Sequence, residues 1–589
     1  MQPVIDLLDA KVTHAMIDAT GQNDCNALVK TSGNPKFGDY QADGIMALAK
    51  KLKTNPRQLA QQVVDKLDIA DICETPEIAG PGFINLRLKT TFIVDRLLEI
   101  NADSGNRLAV DEVTDKQTVV VDFSGPNIAK QMHVGHLRST IIGDSISRML
   151  EFLGHTVIRQ NHIGDWGTQF GMLIAYLMEQ RIHAALGGEL IPIADLEDFY
   201  KMAKERYDTD AKFAETAREC VVKLHNRDIS VIPFWINIVD ESRKHYQPIY
   251  ERLGVSLEKK HERGESFYAD KLAPVVDWLK DKGLATESDG AMCVFLDGFK
   301  NKEDQPLPFI IQKSDGAFLY ATTDLAAMKY RLDELKAKRI IYVTDARQKL
   351  HFQMLFGTTE AAGWKDDDVN LQHVTFGTVL GEDGKPFKTR SGENIKLSDL
   401  LDEAVTRAKA VVESKNPDLT DAEKDSIAKA VGIGAIKYAD YSNNRESDYI
   451  FSFDKMLAME GNTAPYMQYA FARIKSIERK YKEADGNIEK DLKGLKKLNL
   501  TDAAELDLAK HILRYSEAIE SAAAECRPNY LTSYLYELSQ KFSTFYNDCP
   551  VLIAEQDKRP TRLLLCKLTE KTIAHGLKNL LGIKVVDQM

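Results

Sequence analysis

The chain has few cysteines for its 589 residues, and none of the seven stands in a Cys-x-x-Cys pair. Their scatter argues against a zinc ribbon or a disulfide scaffold and fits reduced thiols in a cytosol. No stretch approaches the roughly 20 consecutive apolar residues that cross a bilayer. The first residues also lack the basic-then-apolar pattern of a signal peptide. These absences predict a cytoplasmic protein without a membrane partner or a structural metal.

A basic excess is missing too, because 77 Lys and Arg stand against 88 Asp and Glu for a formal net charge of −11. Nucleic-acid-binding proteins usually carry a basic balance, so composition alone disfavours such a partner. Any nucleic acid would have to be bound by local basic patches on an acidic body. The hydrophobic content of 44% is enough for real cores and excludes a disordered protein.

The length is enough for about four domains at roughly 150 residues each. Residues 1–112 predict a small α/β unit, with a helix from Gln41 to Leu52 and a strand from Phe83 to Leu88 after the break Gly80-Pro81-Gly82. Residues 113–400 predict a Rossmann-like α/β domain. Residues 401–460 predict a helical connecting region, and residues 461–589 an all-helical domain.

Strands and helices alternate through the second of these regions. Strands are expected at 118–124, 156–159, 309–312, 339–343 and 374–377, with a helix from Leu137. This alternation predicts a parallel sheet, with ligands at the carboxyl ends of its strands, interrupted by a helical insertion of about residues 180–300. In the last region one helix face is predicted from the spacing of Leu531, Leu535, Leu538, Phe542 and Phe545.

The segment His133-Val134-Gly135-His136 directly follows the first of those strands. A helix start offers free backbone N–H groups and the positive end of the helix dipole, which favour phosphate. Two imidazoles can donate hydrogen bonds to phosphate oxygens as charge builds up, and Gly135 would let a flat base pack on the backbone. A helix start with two incidental histidines is the alternative, and a metal site is disfavoured by the ligand spacing.

A second candidate is the basic turn Lys385-Pro386-Phe387-Lys388-Thr389-Arg390-Ser391-Gly392. A flexible loop of this kind can close over a triphosphate and stabilise a leaving pyrophosphate. Lys130, just before the two histidines, is a further candidate cation. The alternative is an exposed hairpin tip with solvated charges.

A third candidate is a group of acids near an aromatic ring. Tyr320 and Asp324 share a face if a helix begins there, and Asp122 ends a strand that Ser124 and Asn127 follow. Two carboxylates beside an aromatic ring suit a guanidinium, through bidentate bonds and stacking. Helix capping and turn chemistry explain the same residues equally well.

Taken together, three segments resemble the class I aminoacyl-tRNA synthetases, and specifically the arginyl-tRNA synthetase family of the bacterial kind. They are the stretch from Asp122 to Asp144, the turn Gly164-Asp165-Trp166-Gly167-Thr168-Gln169-Phe170-Gly171, and the stretch from Glu460 to Tyr469. The similarity runs from about Gly38 to the last methionine, which is essentially the full chain.

The resemblance implies a two-step reaction. The carboxylate of arginine attacks the α-phosphate of ATP to give arginyl-adenylate and pyrophosphate, and the terminal ribose of the tRNA then takes the arginyl group. Activation in this family typically needs bound tRNA, Mg²⁺ accompanies ATP, and many members are monomers.

The resemblance also assigns residues by matched position. The ATP-binding set is His133, Gly135, His136, Phe376, Gly377, Val379 and Lys388. The arginine-binding set is Asp122, Ser124, Asn127, His136, Tyr320, Asp324 and Gln348, with Asp324 and Tyr320 at the guanidinium and Asn127 and Gln348 at the amino acid backbone. The catalytic set is His133, His136, Lys130, Lys385, Lys388 and Arg390.

One departure concerns the second signature of the class, usually Lys-Met-Ser-Lys-Ser. This chain has Pro386-Phe387-Lys388-Thr389-Arg390 there and lacks the second lysine, as the arginyl branch commonly does. Lys130, Lys385 and Lys388 are the available substitutes, and the sequence does not choose among them.

The terminal regions resemble RNA-reading modules: an N-terminal domain that touches the tRNA elbow, a stem-contacting connection, and a C-terminal anticodon-binding domain. Rings for stacking and cations for phosphate are expected from Tyr469, Arg473, Arg527, Tyr530, Tyr534 and Tyr546. Core packing is the alternative for each tyrosine, since Tyr534 and Leu538 share a helix face.

Two other functions are compatible with parts of this pattern. One is a catalytically silent tRNA-binding paralogue, against which the intact His133, His136 and Asp324 argue. The other is a synthetase for another amino acid. A cysteine enzyme would need a zinc site that the sequence lacks, whereas lysine differs from arginine mainly by lacking a planar bidentate group. A pocket that satisfies arginine needs no editing domain.

Overall fold

The computed structural model describes residues 1–185, 196–387 and 395–589. It contains two compact units, the first made of residues 1–112, 458–579 and 584–589, the second of residues 113–457 and 580–583. Most of the predicted connecting region, up to Leu457, therefore lies in the second unit. Among the described residues, none of the helices has both the length and the apolar character that a bilayer crossing requires.

The amino-terminal part of the first unit is α/β. Its elements are α1 (Val4–Thr20), β1 (Val29–Thr31), β2 (Tyr40–Ala42), α2 (Gly44–Leu52), α3 (Pro56–Val64), β3 (Glu77–Ala79), β4 (Phe83–Leu86) and α4 (Thr90–Ala102). The strands form an antiparallel sheet in the order β1-β2-β4-β3. The predicted helix Gln41–Leu52 begins too early. Gln41 belongs to β2 and pairs with Asn85 of β4, and this sheet pairing overrides local helix propensity.

The second unit begins with the elements of a β/α fold. They are β5 (Thr118–Asp122), α5 (Val134–Phe152), β6 (Thr156–Gln160), α6 (Thr168–Ala185), α7 (Leu196–Thr209), α8 (Ala211–His225), α9 (Ile232–Leu253), α10 (Glu265–Asp281), β7 (Ala285–Ser288), β8 (Ala291–Lys300) and β9 (Pro306–Gln312). It continues with α11 (Tyr320–Asp333), β10 (Arg339–Asp345), α12 (Lys349–Ala361), β11 (Asn370–Phe376), β12 (Val379–Leu380), α13 (Leu397–Lys415), α14 (Asp421–Tyr441), β13 (Tyr449–Ile450) and α15 (Phe453–Met456).

The predicted parallel sheet is confirmed in the part of the chain that the structure describes. Its strand order is β11-β10-β5-β6, and every pair is parallel. Val119, Val120 and Val121 are fully buried, as is usual for a strand covered on both faces. Asp122 is in register with Tyr342 and with Gln160, so the carboxyl ends of three strands meet at one edge.

The prediction that residues 309–312 resume this sheet is wrong. They belong to β9, which pairs antiparallel with β8, and β8 pairs antiparallel with β7. Asp289 and Gly290 link β7 to β8 with φ of 51° and 76°, the left-handed geometry that an Asp-Gly hairpin turn requires. The helices of the insertion are therefore followed in sequence by a three-stranded antiparallel sheet, and the parallel sheet resumes only at β10.

Helix α5 packs against the parallel sheet and against α13 and α14. A Cβ on Gly143 would lie 2.2 Å from the ring of Phe123, so glycine lets the helix pack closely on the segment after β5. The helix is also joined to α14 by polar groups. Arg138 forms a buried ion pair with Asp440 at 2.9 Å, and the Tyr441 hydroxyl donates to the Ile141 carbonyl at 2.9 Å.

The carboxy-terminal part of the first unit is helical. Its helices are α16 (Ala464–Glu483), α17 (Ile488–Leu492), α18 (Ala503–Leu513), α19 (Tyr515–Ala524), α20 (Pro528–Asp548) and α21 (Arg559–Ala574), followed by a π-helical turn from His575 to Leu580. The predicted helical character is confirmed. The predicted apolar face lies on α20, where Leu531, Leu535, Leu538, Phe542 and Phe545 are fully buried.

Residues 580–583 return to the second unit and are bound there by a buried lysine. Lys437, on α14, donates through Nζ to the carbonyl of Gly582 at 2.8 Å and to the carbonyl of Leu253 at 2.6 Å. Burial lowers the pKa of this lysine to about 7. Two carbonyl acceptors satisfy an amine that water does not reach.

Candidate active site

The segment between β5 and α5 is held in an uncommon conformation. Ser124 and Gly125 have φ of 76° and 55°, a left-handed geometry that a residue with a Cβ seldom adopts. The Ser124 N–H donates to Ser139 Oγ at 2.9 Å, and its hydroxyl lies 2.8 Å from both Thr140 Oγ1 and Tyr250 Oη. These contacts commit the Ser124 hydroxyl to the fold of the segment.

The two histidines together cap the start of helix α5. The His133 N–H donates to His136 Nδ1 at 3.1 Å, and the Gly135 N–H donates to His133 Nδ1 at 3.1 Å. Because a backbone N–H can only donate, both Nδ1 atoms are unprotonated acceptors, and each neutral ring carries its proton on Nε2. The site therefore holds two imidazoles whose Nε2–H groups are the donors left for a ligand.

The free backbone N–H groups predicted at this helix start are already bonded. The Val134 N–H donates to Ile395 O at 3.0 Å, and the His136 N–H donates to His133 O at 2.8 Å. The prediction of phosphate binding by free helix amides is therefore corrected. The imidazole Nε2 atoms remain as donors at this helix start.

The charge states of the two rings follow from burial. Burial and the neighbouring Lys130 lower the pKa of His133. Burial, and then His133, lowers the pKa of His136 to about 4. At neutral pH His136 is therefore an uncharged hydrogen-bond donor, which needs no proton from solvent to act.

Gly135 has a structural role that the sequence did not indicate. A Cβ there would lie 2.8 Å from Cε1 and 2.9 Å from Nδ1 of His133. The glycine thus makes room for the His133 ring, which then accepts from the Gly135 N–H. Any side chain at this position would push the imidazole away from its capping bond.

The segment that follows the basic turn, residues 395–397, is joined to the histidine segment by backbone hydrogen bonds, although the two are far apart in sequence. Lys396 forms an antiparallel bridge with His133, and the Leu397 N–H donates to Met132 O at 2.9 Å. Lys388 and Arg390 lie outside the described residues. Lys385 is exposed in a hairpin in which Pro386 bridges Leu380. Lys130 is also exposed and lies 5.3 Å above the ring of Tyr200.

The predicted adenine strand lies beside α5. Phe376 ends β11, Val379 begins β12, and both are buried. A Cβ on Gly377 would lie 2.6 Å from Asp448 Oδ1, so the backbone passes close to its neighbours there. Arg138 of α5 donates to the Gly377 carbonyl at 2.7 Å, which ties the histidine helix to this strand.

The predicted pair Tyr320 and Asp324 occupies the first turns of α11, as expected. Tyr320 is 66% exposed. Asp324 Oδ2 is 2.7 Å from Nε2 of His351, a residue that sequence reasoning missed. The His351 ring lies 5.0 Å from the Tyr320 ring. Gln348, at the start of α12, and Asn127, after β5, are both exposed.

Asp122 has an internal partner that the sequence did not indicate. Arg331, fully buried on α11, donates to Asp122 Oδ2 at 2.5 Å and to Gln160 Oε1 at 2.6 Å. Its guanidinium lies 4.8 Å from the centre of the Tyr342 ring. The predicted arrangement of a carboxylate and an aromatic ring around a guanidinium thus occurs at Asp122, but with a guanidinium of the protein itself.

A second acid near Asp324 was also missed. Glu265 begins α10, and its pKa is raised to about 7 by burial and by the neighbouring carboxylates of Asp165 and Asp324. Like charges brought together out of water favour the protonated form of one of them. A cation bound among these acids would relieve that repulsion. The only sequence signal for Glu265 was its place just after Gly264, at a helix start.

The predicted tRNA residues lie in the first unit. The Arg473 guanidinium lies 4.8 Å from the Tyr469 ring and 5.1 Å from the Tyr546 ring. Both tyrosines are 37% exposed, which leaves ring surface for stacking. Tyr534 is 6% exposed and belongs to the core.

Arg527 and Tyr530 lie at the start of α20. Both are half-buried, and both contact Glu525: Arg527 Nε is 3.4 Å from Glu525 Oε2, and the Tyr530 hydroxyl donates to the same oxygen at 2.9 Å. These two residues therefore share an acidic neighbour at the surface.

Comparison with known proteins agrees with this geometry. The family described as "tRNA synthetases class I (R), catalytic domain" matches residues 100–453. The "DALR anticodon binding domain" matches residues 467–589, and the "Arginyl tRNA synthetase N terminal domain" matches residues 6–88. The parallel sheet, the paired histidines and the first match define a class I aminoacyl-tRNA synthetase.

Individual relatives narrow the class. The chain is 50% identical over 585 residues to an arginine–tRNA ligase of Hahella chejuensis, with 99% of each chain covered. It is 51% identical over 601 residues to one of Picosynechococcus, with 100% of each covered. The crystal structure of Plasmodium falciparum arginyl-tRNA synthetase matches with a TM-score of 0.86 at 31% identity over 100% of both chains. The chain belongs to the arginyl-tRNA synthetase family.

Proposed function

We propose that the chain ligates arginine to its tRNA. It activates arginine with ATP to arginyl-adenylate, transfers arginine to the 3′-terminal ribose, and releases AMP and pyrophosphate. Full-length similarity to arginine–tRNA ligases makes the chain an aminoacyl-tRNA ligase that uses ATP as a substrate. The observation that supports the chemistry is the pair of imidazoles whose Nδ1 atoms both accept backbone N–H groups.

In this proposal His133 and His136 donate from Nε2 to the phosphates of ATP. The α-phosphate gains negative charge as the carboxylate of arginine attacks it, and fixed donors stabilise that charge without reorganising. A neutral His136 suits this role, because its low pKa keeps it in one state across the neutral range. Gly377 and the residues beside it would pass along the adenine.

The leaving pyrophosphate would meet cations from the basic turn. The backbone bonds between residues 395–397 and the histidine segment support this arrangement, because they hold the chain that follows the turn beside His133. Lys130, Lys385, Lys388 and Arg390 are the candidates. Mg²⁺ would arrive with ATP and would supply positive charge to its phosphates.

Arginine would bind with its guanidinium at Asp324 and Tyr320, close to Glu265. Two carboxylates and a ring satisfy a planar cation, and the raised pKa of Glu265 supports a site prepared for positive charge. Asn127 and Gln348 would meet the amino acid backbone. Asp122 and Ser124 would act indirectly, by fixing the segment between β5 and α5 through Arg331 and Tyr250.

The proposed partner is the arginine tRNA, with stacking at Tyr469 and phosphate contacts from Arg473, Arg527 and Tyr530. The N-terminal module would contact the tRNA elbow. We also propose a monomer, which light scattering on the purified chain would test. No disulfide joins any of the seven cysteines, all of which lie among the described residues, and this supports a reducing compartment such as the cytoplasm.

The first experiment is amino-acid-dependent ATP–pyrophosphate exchange with each of the twenty amino acids, with and without total tRNA. Exchange with arginine alone, and only with tRNA, is the expected result. Exchange with lysine or another amino acid would refute the guanidinium site. Exchange with none of them, from folded protein that binds tRNA, would favour a silent paralogue.

A sharper test of the pocket is Asp324→Ala. The variant should raise the KM for arginine by about tenfold or more, as expected for loss of a charged hydrogen bond, while the KM for ATP stays unchanged. A matched control is Asp333→Ala, which removes an exposed carboxylate paired with Lys329 on the same helix. Equal weakening of both substrates would refute the placement of Asp324.

A further inference from the structure

His351 lies between the two residues that we place at the guanidinium of arginine. Its Nε2 is 2.7 Å from Asp324 Oδ2, and its ring centroid is 5.0 Å from that of Tyr320. Phe309 and Phe352 pack against the same ring at 5.6 Å and 5.3 Å. Aromatic contacts thus fix the imidazole, and the imidazole in turn contacts both proposed recognition side chains.

The hydrogen bond has a definite direction. An ionised carboxylate only accepts, so Nε2 of His351 carries the proton and donates it to Asp324. The terminal torsion of an aspartate is otherwise broad. A donor held at one oxygen restricts the rotation of the carboxylate, and because each oxygen has two lone pairs, both can still accept from a guanidinium.

The orientation of this plane matters more for arginine than for lysine. A guanidinium is planar, and its hydrogen bonds to a carboxylate depend on the two planes being aligned. An ammonium is a compact charge that pairs with a carboxylate from many directions. A fixed carboxylate therefore favours the planar cation.

We propose that His351 is a positioning residue for substrate recognition, which holds Asp324 in the orientation that selects arginine over lysine. This inference rests on the proposed placement of arginine at Asp324 and Tyr320. His351 itself does not need to touch the substrate.

The test compares His351→Asn with His351→Gln. The amide nitrogen of glutamine reaches about where Nε2 stands, whereas that of asparagine reaches only about as far as Nδ1. His351→Asn should raise the KM for arginine by about tenfold, while kcat and the KM for ATP should stay within about twofold of the unaltered chain. It should also lower the ratio of the arginine exchange rate to the lysine exchange rate. His351→Gln should restore most of the arginine KM. Exchange is measured with saturating tRNA, and thermal unfolding is followed for each variant.

The double variant Asp324→Ala/His351→Asn separates the two hypotheses. If His351 acts through Asp324, the double variant should be no worse for arginine than Asp324→Ala alone. An unchanged arginine KM in Asp324→Ala would overturn the proposed site and this inference together. A raised KM in Asp324→Ala with none in His351→Asn would overturn the inference alone. So would equal behaviour of the Asn and Gln variants, or a parallel loss of kcat, ATP binding and thermal stability.

Discussion

At the scale of single residues, His136 combines two functions in one ring. Its Nδ1 accepts the His133 N–H and so completes the helix cap, while its Nε2–H is the group proposed to meet phosphate. The two atoms can be separated by mutation, because asparagine supplies an acceptor near the position of Nδ1 and no donor at Nε2.

His136→Ala and His136→Asn should both slow arginine activation by roughly 10²–10³-fold, which is the usual cost of one donor to a developing anion. Arginine binding should change little. Since the pKa of His136 is lowered to about 4, the exchange rate of the unaltered chain should show no inflection from this residue between about pH 6 and 8. A rate that His136→Asn leaves intact would remove the Nε2 donor from the mechanism.

Gly135→Ala should also slow activation, because its Cβ would fall 2.8 Å from the His133 ring. We expect the activation rate to fall about tenfold, less than for the His136 variants, because the displaced imidazole of His133 can still donate to phosphate from a shifted position. Gly33→Ala is the control, as a Cβ there meets nothing within 4 Å. Equal exchange rates in the two variants would show that activation does not depend on the position of the His133 ring.

The sequence located many of these residues but not their partners. His133 and His136 could be identified from the sequence because both lie at a predicted helix start directly after a strand. Arg331, by contrast, is 209 residues from Asp122, and nothing local marks it as the guanidinium that occupies that carboxylate. His351 was missed for the same reason, because its significance comes from contact with Asp324 rather than from its neighbours in the chain.

At the scale of elements, α5 connects the parts of the proposed active site. Its first turn carries the histidines, and Arg138 in its second turn donates to the Gly377 carbonyl at 2.7 Å and pairs with Asp440 of α14 at 2.9 Å. Both partners of the ion pair are almost wholly buried. Removal of one would leave the other charge uncompensated.

Arg138→Met should therefore destabilise the second unit by about 3–5 kcal/mol and raise the KM for ATP. The double variant Arg138→Met/Asp440→Leu should recover much of that stability, because no lone charge remains buried. Urea unfolding checks both expectations. Lys244→Met, at an exposed pair with Glu241, should cost under about 1 kcal/mol; a comparable cost in the two single variants would contradict the argument.

Element prediction succeeded where periodicity was clear and failed where pairing decides. The apolar face of α20 follows from residue spacing alone. Strand β9 looked like part of the parallel sheet because it is short and apolar, but its partner is the antiparallel strand β8. The Asp289-Gly290 turn between β7 and β8 was the available signal, because it indicates that an antiparallel sheet begins there.

At the scale of the whole molecule, buried histidines set the response to acid. Burial lowers the pKa of four of them to between about 3 and 4: His136, His373, His511 and His575. Unfolded histidines take up protons near pH 6.5, so between about pH 6.5 and 4 the unfolded state binds more protons than the folded one. Stability from these groups is therefore present above that window and falls as the pH falls through it. Glu265 and Glu520, with pKa values raised to about 7, act in the opposite sense.

His511→Gln isolates one such contribution. The His511 Nε2 lies 3.0 Å from the Tyr534 carbonyl, and a glutamine amide can replace this donor without titrating. Between pH 7.5 and 5.5 the variant should lose about 1 kcal/mol less stability than the unaltered chain, as measured by urea midpoints at the two pH values. His14→Gln, at an exposed histidine, should follow the unaltered chain; an equal pH response of both variants would refute the assignment.

Residues 580–583 also determine how this molecule can be divided. A fragment spanning residues 113–457 would contain α14 but would lack the Gly582 carbonyl that accepts from Lys437. One of the two acceptors of a buried amine would then be missing, at the cost that any unsatisfied buried donor carries. The second unit is thus compact in space but discontinuous in sequence, so any isolated version of it has to include residues 580–583.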